Sequence, residues 1–259
     1  MKLREALQRA REERRSAFIP FIVAGDPDMA MSEKLIIGLQ KAGADALELG
    51  VPFSDPVADG VTVQRAAERS LAAGTTLKGV LELVKRARTR SVTMPICLFS
   101  YVNPVYKMGY ANFVKAAKTA GANGALLVDL PPEEATEYCK IARENAFETV
   151  FLSSPTTSEE RLRLIDACST GFVYYVSREG VTGTQEALPQ ALAEKLSNLR
   201  RSLSNPLAVG FGISTPEHVA QLAGRVDGIV VGSALIKLVE QNPANAVEAV
   251  TEKVRALKG

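Results

Sequence analysis

From Phe18 onward, short apolar runs alternate with amphipathic stretches. The apolar runs read FIPFIVA, ADALELG, PICLFSY, GALLVDL, ETVFLSS, GFVYYVS, PLAVGFG and DGIVVG. Each is short enough for a strand, and turn residues such as Gly25 and Pro27 punctuate the chain between them. After the first run, Asp28 is placed to cap a helix in which Met31, Leu35 and Leu39 form one stripe before Ala42 and Gly43 end it. The same spacing predicts helices over 62–72, 76–89, 111–120, 133–145 and 158–168. Later helices are expected from Pro216, after the GSA at 232–234, and over 243–257. Strands that are apolar throughout belong to a parallel sheet covered on both faces. Eight β-α units favour a closed (β/α)8 TIM barrel over an open doubly wound sheet. The open sheet also lacks its usual mark, since GDPD follows the first strand and no GxGxxG occurs. The opening MKLREALQRAREERRS reads as a helical N-terminal extension with no strand before it. No linker or low-complexity segment divides the 259 residues, so residues 1–259 are expected to form one barrel domain.

Composition narrows the partners. With 46% hydrophobic residues and a net charge of +2, the chain has no basic surplus for nucleic acid or an anionic membrane. Cys97, Cys139 and Cys168 are widely separated, which fits reduced thiols and offers no metal-binding pair. The charged start has no apolar signal core, and no apolar run approaches the roughly 20 residues needed to span a bilayer. The expected location is cytoplasmic.

The richest stretch for chemistry is 47–60, LELGVPFSDPVADG. Strand parity pairs Ala46 with Glu48 on one face and Leu47 with Leu49 on the other. The small residue and the acid make the natural inward pair. A carboxyl among apolar barrel residues loses hydration, so its pKa rises and it can hold a proton near neutrality. Asp59, on the following loop, is expected to stay ionised. Two carboxyls in unlike surroundings are candidate catalytic acids, although Asp59 is equally suited to cap the helix that follows. Late in the chain, GFGIS (210–214) and GSA (232–234) follow neighbouring strands. Free backbone N–H groups there suit a phosphate, with Ser233 as an added donor, whereas either alone reads as a turn. SREGVTG (177–183) can serve as a lid or as a plain surface loop. Phe21, Phe99, Tyr101, Tyr174 and Phe211 fall near strand ends, where they wall a flat aromatic ligand or fill core. The single histidine, His218, sits at a helix start and is expected at the surface or as a cap.

Together FIPFIVAGDPD, GADALELGVPFSDPVADG, SYVNPVY, VDLPPEE, SREGVTG, VGFGIS and VGSALIK resemble the alpha subunit family of tryptophan synthase over nearly the whole chain. The resemblance implies a lyase that splits indole-3-glycerol phosphate into indole and D-glyceraldehyde 3-phosphate. By motif, Glu48 and Asp59 become the catalytic acids. Phe21, Phe99, Tyr101, Tyr174, Phe211 and Val231 become pocket residues, Gly183, Gly212, Gly232 and Ser233 lie in the phosphate-binding segments, and Thr182 is a further substrate-binding residue. Glu179, Phe99 and Ser100 depart from the small or aliphatic residues usual there. The resemblance also implies a beta subunit partner in an alpha2beta2 tetramer, which docks on loops holding Asp55, Pro56, Asn103, Pro104, Pro131 and Pro132. It implies no cofactor and no metal in this chain, with pyridoxal phosphate belonging to the beta partner. A pentose-phosphate epimerase would need metal-binding histidines that one histidine cannot supply. A phosphoribosylanthranilate isomerase is the remaining enzymatic alternative, and intact Glu48 and Asp59 argue against a barrel kept only to activate a partner.

Overall fold

The structure, a computed structural model, describes residues 1–176, 190–210 and 212–258, without the side chains of residues 190, 191 and 193. In chain order the elements are α1 (Leu3–Glu12), β1 (Ala17–Val23), α2 (Met29–Lys41), β2 (Leu47–Gly50), α3 (Val61–Ala72), α4 (Leu77–Thr89) and β3 (Ile96–Ser100). There follow α5 (Val102–Met108), α6 (Tyr110–Ala120), β4 (Gly124–Leu127), a 3-10 turn (Pro132–Glu134), α7 (Thr136–Glu144), β5 (Glu148–Ser153) and α8 (Glu159–Cys168). The chain continues through β6 (Phe172–Val176), α9 (Gln190–Ser202), β7 (Leu207–Gly210), α10 (Pro216–Leu222), β8 (Gly228–Val231), α11 (Ser233–Gln241) and α12 (Ala246–Lys258). The eight strands run parallel in sequence order and β8 pairs back onto β1, closing the barrel. The expected class and all eight strands are therefore present.

Two apolar layers follow from strand alternation. Leu47, Leu49, Ile96, Leu98, Val209 and Val231 face outward and pack under the helices. Ile19, Phe21, Val23, Ala46, Cys97, Phe99, Leu126, Phe172 and Tyr174 belong to the inner layer. Asp28 caps α2 as its sequence predicts, accepting from the Met31 N–H at 2.7 Å. One helix was not legible: α5 begins at Val102 although Asn103 and Pro104 read as loop. Proline is tolerated there because a first-turn N–H has no partner within the helix.

The N-terminal extension closes one end of the barrel. Leu3, Ala6, Leu7 and Ala10 sit on one face of α1 and join the inner layer. The Glu148 carboxylate, at the start of β5, accepts from the backbone N–H groups of Leu3 (2.6 Å) and Arg4 (3.0 Å). A carboxylate over the first turn of a helix meets both unpaired donors and the positive end of the dipole. With α1 plugging the amino ends of the strands, the open mouth is the carboxyl end. Glu48 and the loop to Asp59 lie on that side.

Candidate active site

Glu48 lies in register between Phe21 of β1 and Cys97 of β3, inside the barrel and 1% exposed. The parity expected from the sequence is the one observed, with Ala46 inside and Leu47 and Leu49 outside. The Oε1 atom of Glu48 is buried and has no hydrogen-bond partner among the described residues. An ionised carboxylate in such a place costs several kcal/mol. Desolvation, and secondarily the nearby Asp59 charge, push its pKa up to about 8. At neutral pH the group is mainly the protonated acid.

Asp59 is held by its own loop and by Tyr101, the residue that follows β3. Its N–H donates to the Pro56 carbonyl, and Gln64 Nε2 donates to the Asp59 carbonyl at 2.8 Å. The Tyr101 hydroxyl accepts from the Ala58 N–H and donates to Asp59 Oδ2, each at 3.0 Å. Phe53 stacks on the Tyr101 ring with centroids 5.0 Å apart. The capping alternative does not hold, because the N-cap of α3 is Gly60, which offers no side-chain cap, while the Asp59 carboxyl faces Tyr101. Nor is Asp59 a plain solvated acid. Desolvation raises its pKa to about 6, and the Tyr101 hydrogen bond opposes that rise. The two carboxyls thus straddle neutrality, Glu48 mainly protonated and Asp59 mainly ionised.

Aromatic groups wall the space beside them. Phe21 and Phe99 meet edge to face at 5.2 Å. A side chain at Gly50 or Gly232 would come within 3.0 Å of the Phe21 ring, so both glycines make room for it. Tyr174 is nearly buried in the same inner layer, and Gly210 is the residue whose missing side chain admits its hydroxyl. Gly232 is the N-cap of α11 with no side-chain cap, and Ser233 opens the helix. Gly212 adopts φ 67°, in the left-handed region that favours glycine.

The structure thus brings together Phe21, Glu48, Asp59, Phe99, Tyr101 and Tyr174, with Gly232 against Phe21. Val231 is the exception: its side chain points into the outer layer under the helices, so it lines no inner pocket. Its parity follows from β8 pairing with β1, which the chain's local pattern does not reveal. Thr182, Gly183 and Phe211 lie outside the described residues. His218, expected at the surface, is 2% exposed on α10, with Thr215 as the actual cap. Sequence reasoning missed the anchoring part of Tyr101, because its partners lie 42 and 43 residues away. A groove of about 860 Å³ outside the barrel, between α8 and α9, contains none of these groups.

A sequence model of the tryptophan synthase alpha chain matches residues 7–259. The chain belongs to that family. A tryptophan synthase alpha chain from Geobacter sulfurreducens is 49% identical over 227 residues, covering 88% of this chain and 86% of the relative. One from Opitutus terrae is 44% identical over 258 residues, covering 100% and 96%. Among solved structures, the alpha subunit from Legionella pneumophila superposes with a TM-score of 0.91 at 37% identity, covering 100% of this chain and 97% of that one. A chain from the a2b2 tryptophan synthase complex of Pyrococcus furiosus gives 0.90 at 43%, covering 95% and 99%. As a member of that family, the protein is a lyase of tryptophan biosynthesis that cleaves indole-3-glycerol phosphate to indole and D-glyceraldehyde 3-phosphate.

The Tyr101 bridge carries a prediction of its own. Tyr101→Phe removes the bond that lowers the Asp59 pKa, so that pKa should rise above about 6. A lost hydrogen bond to a charged group is worth about 1.5–3 kcal/mol, or roughly tenfold or more in rate. The pH profile of kcat/KM should show its acid limb displaced upward. An acid limb unmoved by this change would detach Tyr101 from Asp59.

Proposed function

We propose that Glu48 and Asp59 carry the cleavage, and the unpartnered, mainly protonated Glu48 carboxyl inside the barrel is the observation that supports this most directly. Glu48 delivers its proton to C3 of the indole ring, and positive charge develops on the ring nitrogen. Asp59, mainly ionised at neutral pH, accepts a hydrogen bond from that N–H and stabilises the charge. The Glu48 carboxylate then takes the proton of the side-chain hydroxyl. As it does so, the bond between C3 and the glycerol carbon breaks. Its electron pair restores the aromatic ring, and the hydroxyl carbon becomes the aldehyde of glyceraldehyde 3-phosphate. Glu48 ends protonated, as it began.

Phe21, Phe99 and Tyr174 hold the flat ring, and Tyr101 fixes Asp59. Gly232 and Ser233 receive the phosphate through backbone N–H groups at the start of α11, with Gly212 of the loop after β7 beside them. Outside the described residues, Thr182 and Gly183 are further substrate-binding residues and Phe211 a further wall of the ring pocket. Residues 1–259 act as one barrel domain. Proton transfer between these carboxyls and the substrate needs no cofactor or metal in this chain, and pyridoxal phosphate belongs to the beta subunit. No helix among the described residues is long and apolar enough to cross a membrane, which fits a cytoplasmic location.

The beta subunit docks on the rim around Asp59 to form an alpha2beta2 complex. Val57 is 82% exposed, Tyr106 70% and Val61 65%, and these large apolar groups flank Asp55, Pro56, Asn103 and Pro104 on that rim. Pro132, by contrast, is buried within its 3-10 turn. Docking there presses on the loop that places Asp59. Indole release should therefore be low for the chain alone and rise to saturation as beta subunit is titrated in, with Asp55→Ala weakening the response. Full activity without partner, or no saturable response, removes this part of the reading.

A further inference from the structure

Two helices on the carboxyl face stand outside the regular β-α repeat. The helix α3 begins just after Asp59 and precedes α4, while α11 begins at Ser233 and precedes α12. They pack on one another and both touch β1. Where they meet, Arg69 of α3 donates from Nε and Nη2 to the two carboxylate oxygens of Asp26, at 2.7 and 2.9 Å. Its remaining arm, Nη1, reaches Glu240 Oε1 of α11 at 2.8 Å. Arg65, one turn earlier, closes on both oxygens of Glu240, each at 2.8 Å. Asp26 is 3% exposed and the Arg69 side chain 30%, so the inner pair is shielded, whereas the Arg65 side chain is 45% exposed.

We propose that Arg69 is a positioning residue for the cleavage reaction, setting the distance between the acid that meets the indole nitrogen and the helix that receives the phosphate. The inference rests on the roles given above to Asp59 and Ser233. Each of the three elements Arg69 joins leads directly to a site group. Asp26 follows the strand that carries Phe21, α3 starts two residues after Asp59, and Glu240 lies two turns along the helix that Ser233 opens. Helices move as rods, so a displacement where Arg69 sits is delivered to Asp59 and to Ser233. A planar guanidinium gripping one carboxylate with two bonds and a second with its free arm fixes orientation as well as separation. A misplacement of about 1 Å far from the reacting atoms can cost 10²-fold in rate. Ser70, the next residue, donates to the Ala24 carbonyl at 2.5 Å, holding this end of α3 against the end of β1.

The test uses the full chain with its beta subunit, steady-state cleavage of indole-3-glycerol phosphate, and thermal unfolding in parallel. Arg69→Met should raise KM roughly tenfold and lower kcat roughly tenfold at temperatures where the protein stays folded. Arg69→Lys keeps the charge but not the double grip, so it should recover thermal stability more than it recovers KM. Arg65→Met breaks only the exposed pair and should leave both constants within about twofold. Should Arg69→Met fail to fold, Glu240→Gln takes away the charge that holds α11 to Arg69 while sparing the Asp26–Arg69 pair, and its KM should still rise several-fold. A lower unfolding temperature with native kcat and KM in the Arg69 variants, or a native KM in Glu240→Gln, overturns the inference. A native chain without turnover would instead remove the catalytic reading on which it depends.

Discussion

Glu48→Gln should retain the fold and bind indole-3-glycerol phosphate, yet release indole about 10²–10⁴-fold more slowly. Glutamine keeps the shape of the side chain but can neither deliver a proton to C3 nor take one from the hydroxyl. The loss corresponds to about 3–5 kcal/mol of barrier. Single-turnover measurements separate it from any change in binding, and a near-native rate would take Glu48 out of the chemistry. The same substitution makes an opposite prediction for stability. The folded-state pKa of Glu48 is about 8, against 4.5 for an ordinary glutamate. Between those values the folded chain binds more protons than the unfolded one, so the stability contribution of this carboxyl falls as pH rises. Above pH 8 the native chain carries the full cost of an unpaired buried charge. Glu48→Gln should therefore gain stability relative to the native chain as pH is raised from about 5 to 9, read from unfolding midpoints at each pH. A group that costs stability and is needed for rate is the trade expected of a catalytic acid.

Asp59→Asn should be impaired to a comparable degree, about 10²-fold or more in kcat, because an amide offers no negative charge to the developing cation at the ring nitrogen. Its effect on the pH profile is the sharper readout. On the proposed mechanism, activity requires Glu48 protonated and Asp59 ionised, so kcat/KM should be bell-shaped with limbs near pH 6 and pH 8. The acid limb follows Asp59, since activity is lost as that group gains a proton; the basic limb follows Glu48 as its proton leaves. With Asp59→Asn the acid limb should vanish. The basic limb should move to lower pH, because the Asp59 charge is one of the two causes raising the Glu48 pKa. A variant that keeps both limbs would assign the acid limb to another group, and one that keeps native turnover would leave Asp59 with no part in the reaction.

The sequence alone determined the periodic features of this protein. Eight apolar runs became eight parallel strands, and the alternation about Ala46 and Glu48 placed the acid inside the barrel and the leucines under the helices. These succeed because burial on both faces and two-residue alternation are local properties of a strand. The segment from 47 to 60 likewise announced two acids, although it could not say what surrounds them. What the tertiary structure decided is how distant elements meet. Tyr101 looked like a wall residue and is the hydroxyl that grips Asp59, and Asp59 looked solvated or capping and is half-buried with a raised pKa. Val231 turned outward because strand pairing across the barrel closure sets its parity. His218 went inside because the face a short helix buries depends on what packs against it. The link among Asp26, Arg69 and Glu240 spans 43 and 171 residues of chain, beyond any local pattern. Periodicity is written in neighbouring residues, whereas pKa, pairing and register arise only when closure of the barrel brings separate strand ends into one low-dielectric mouth.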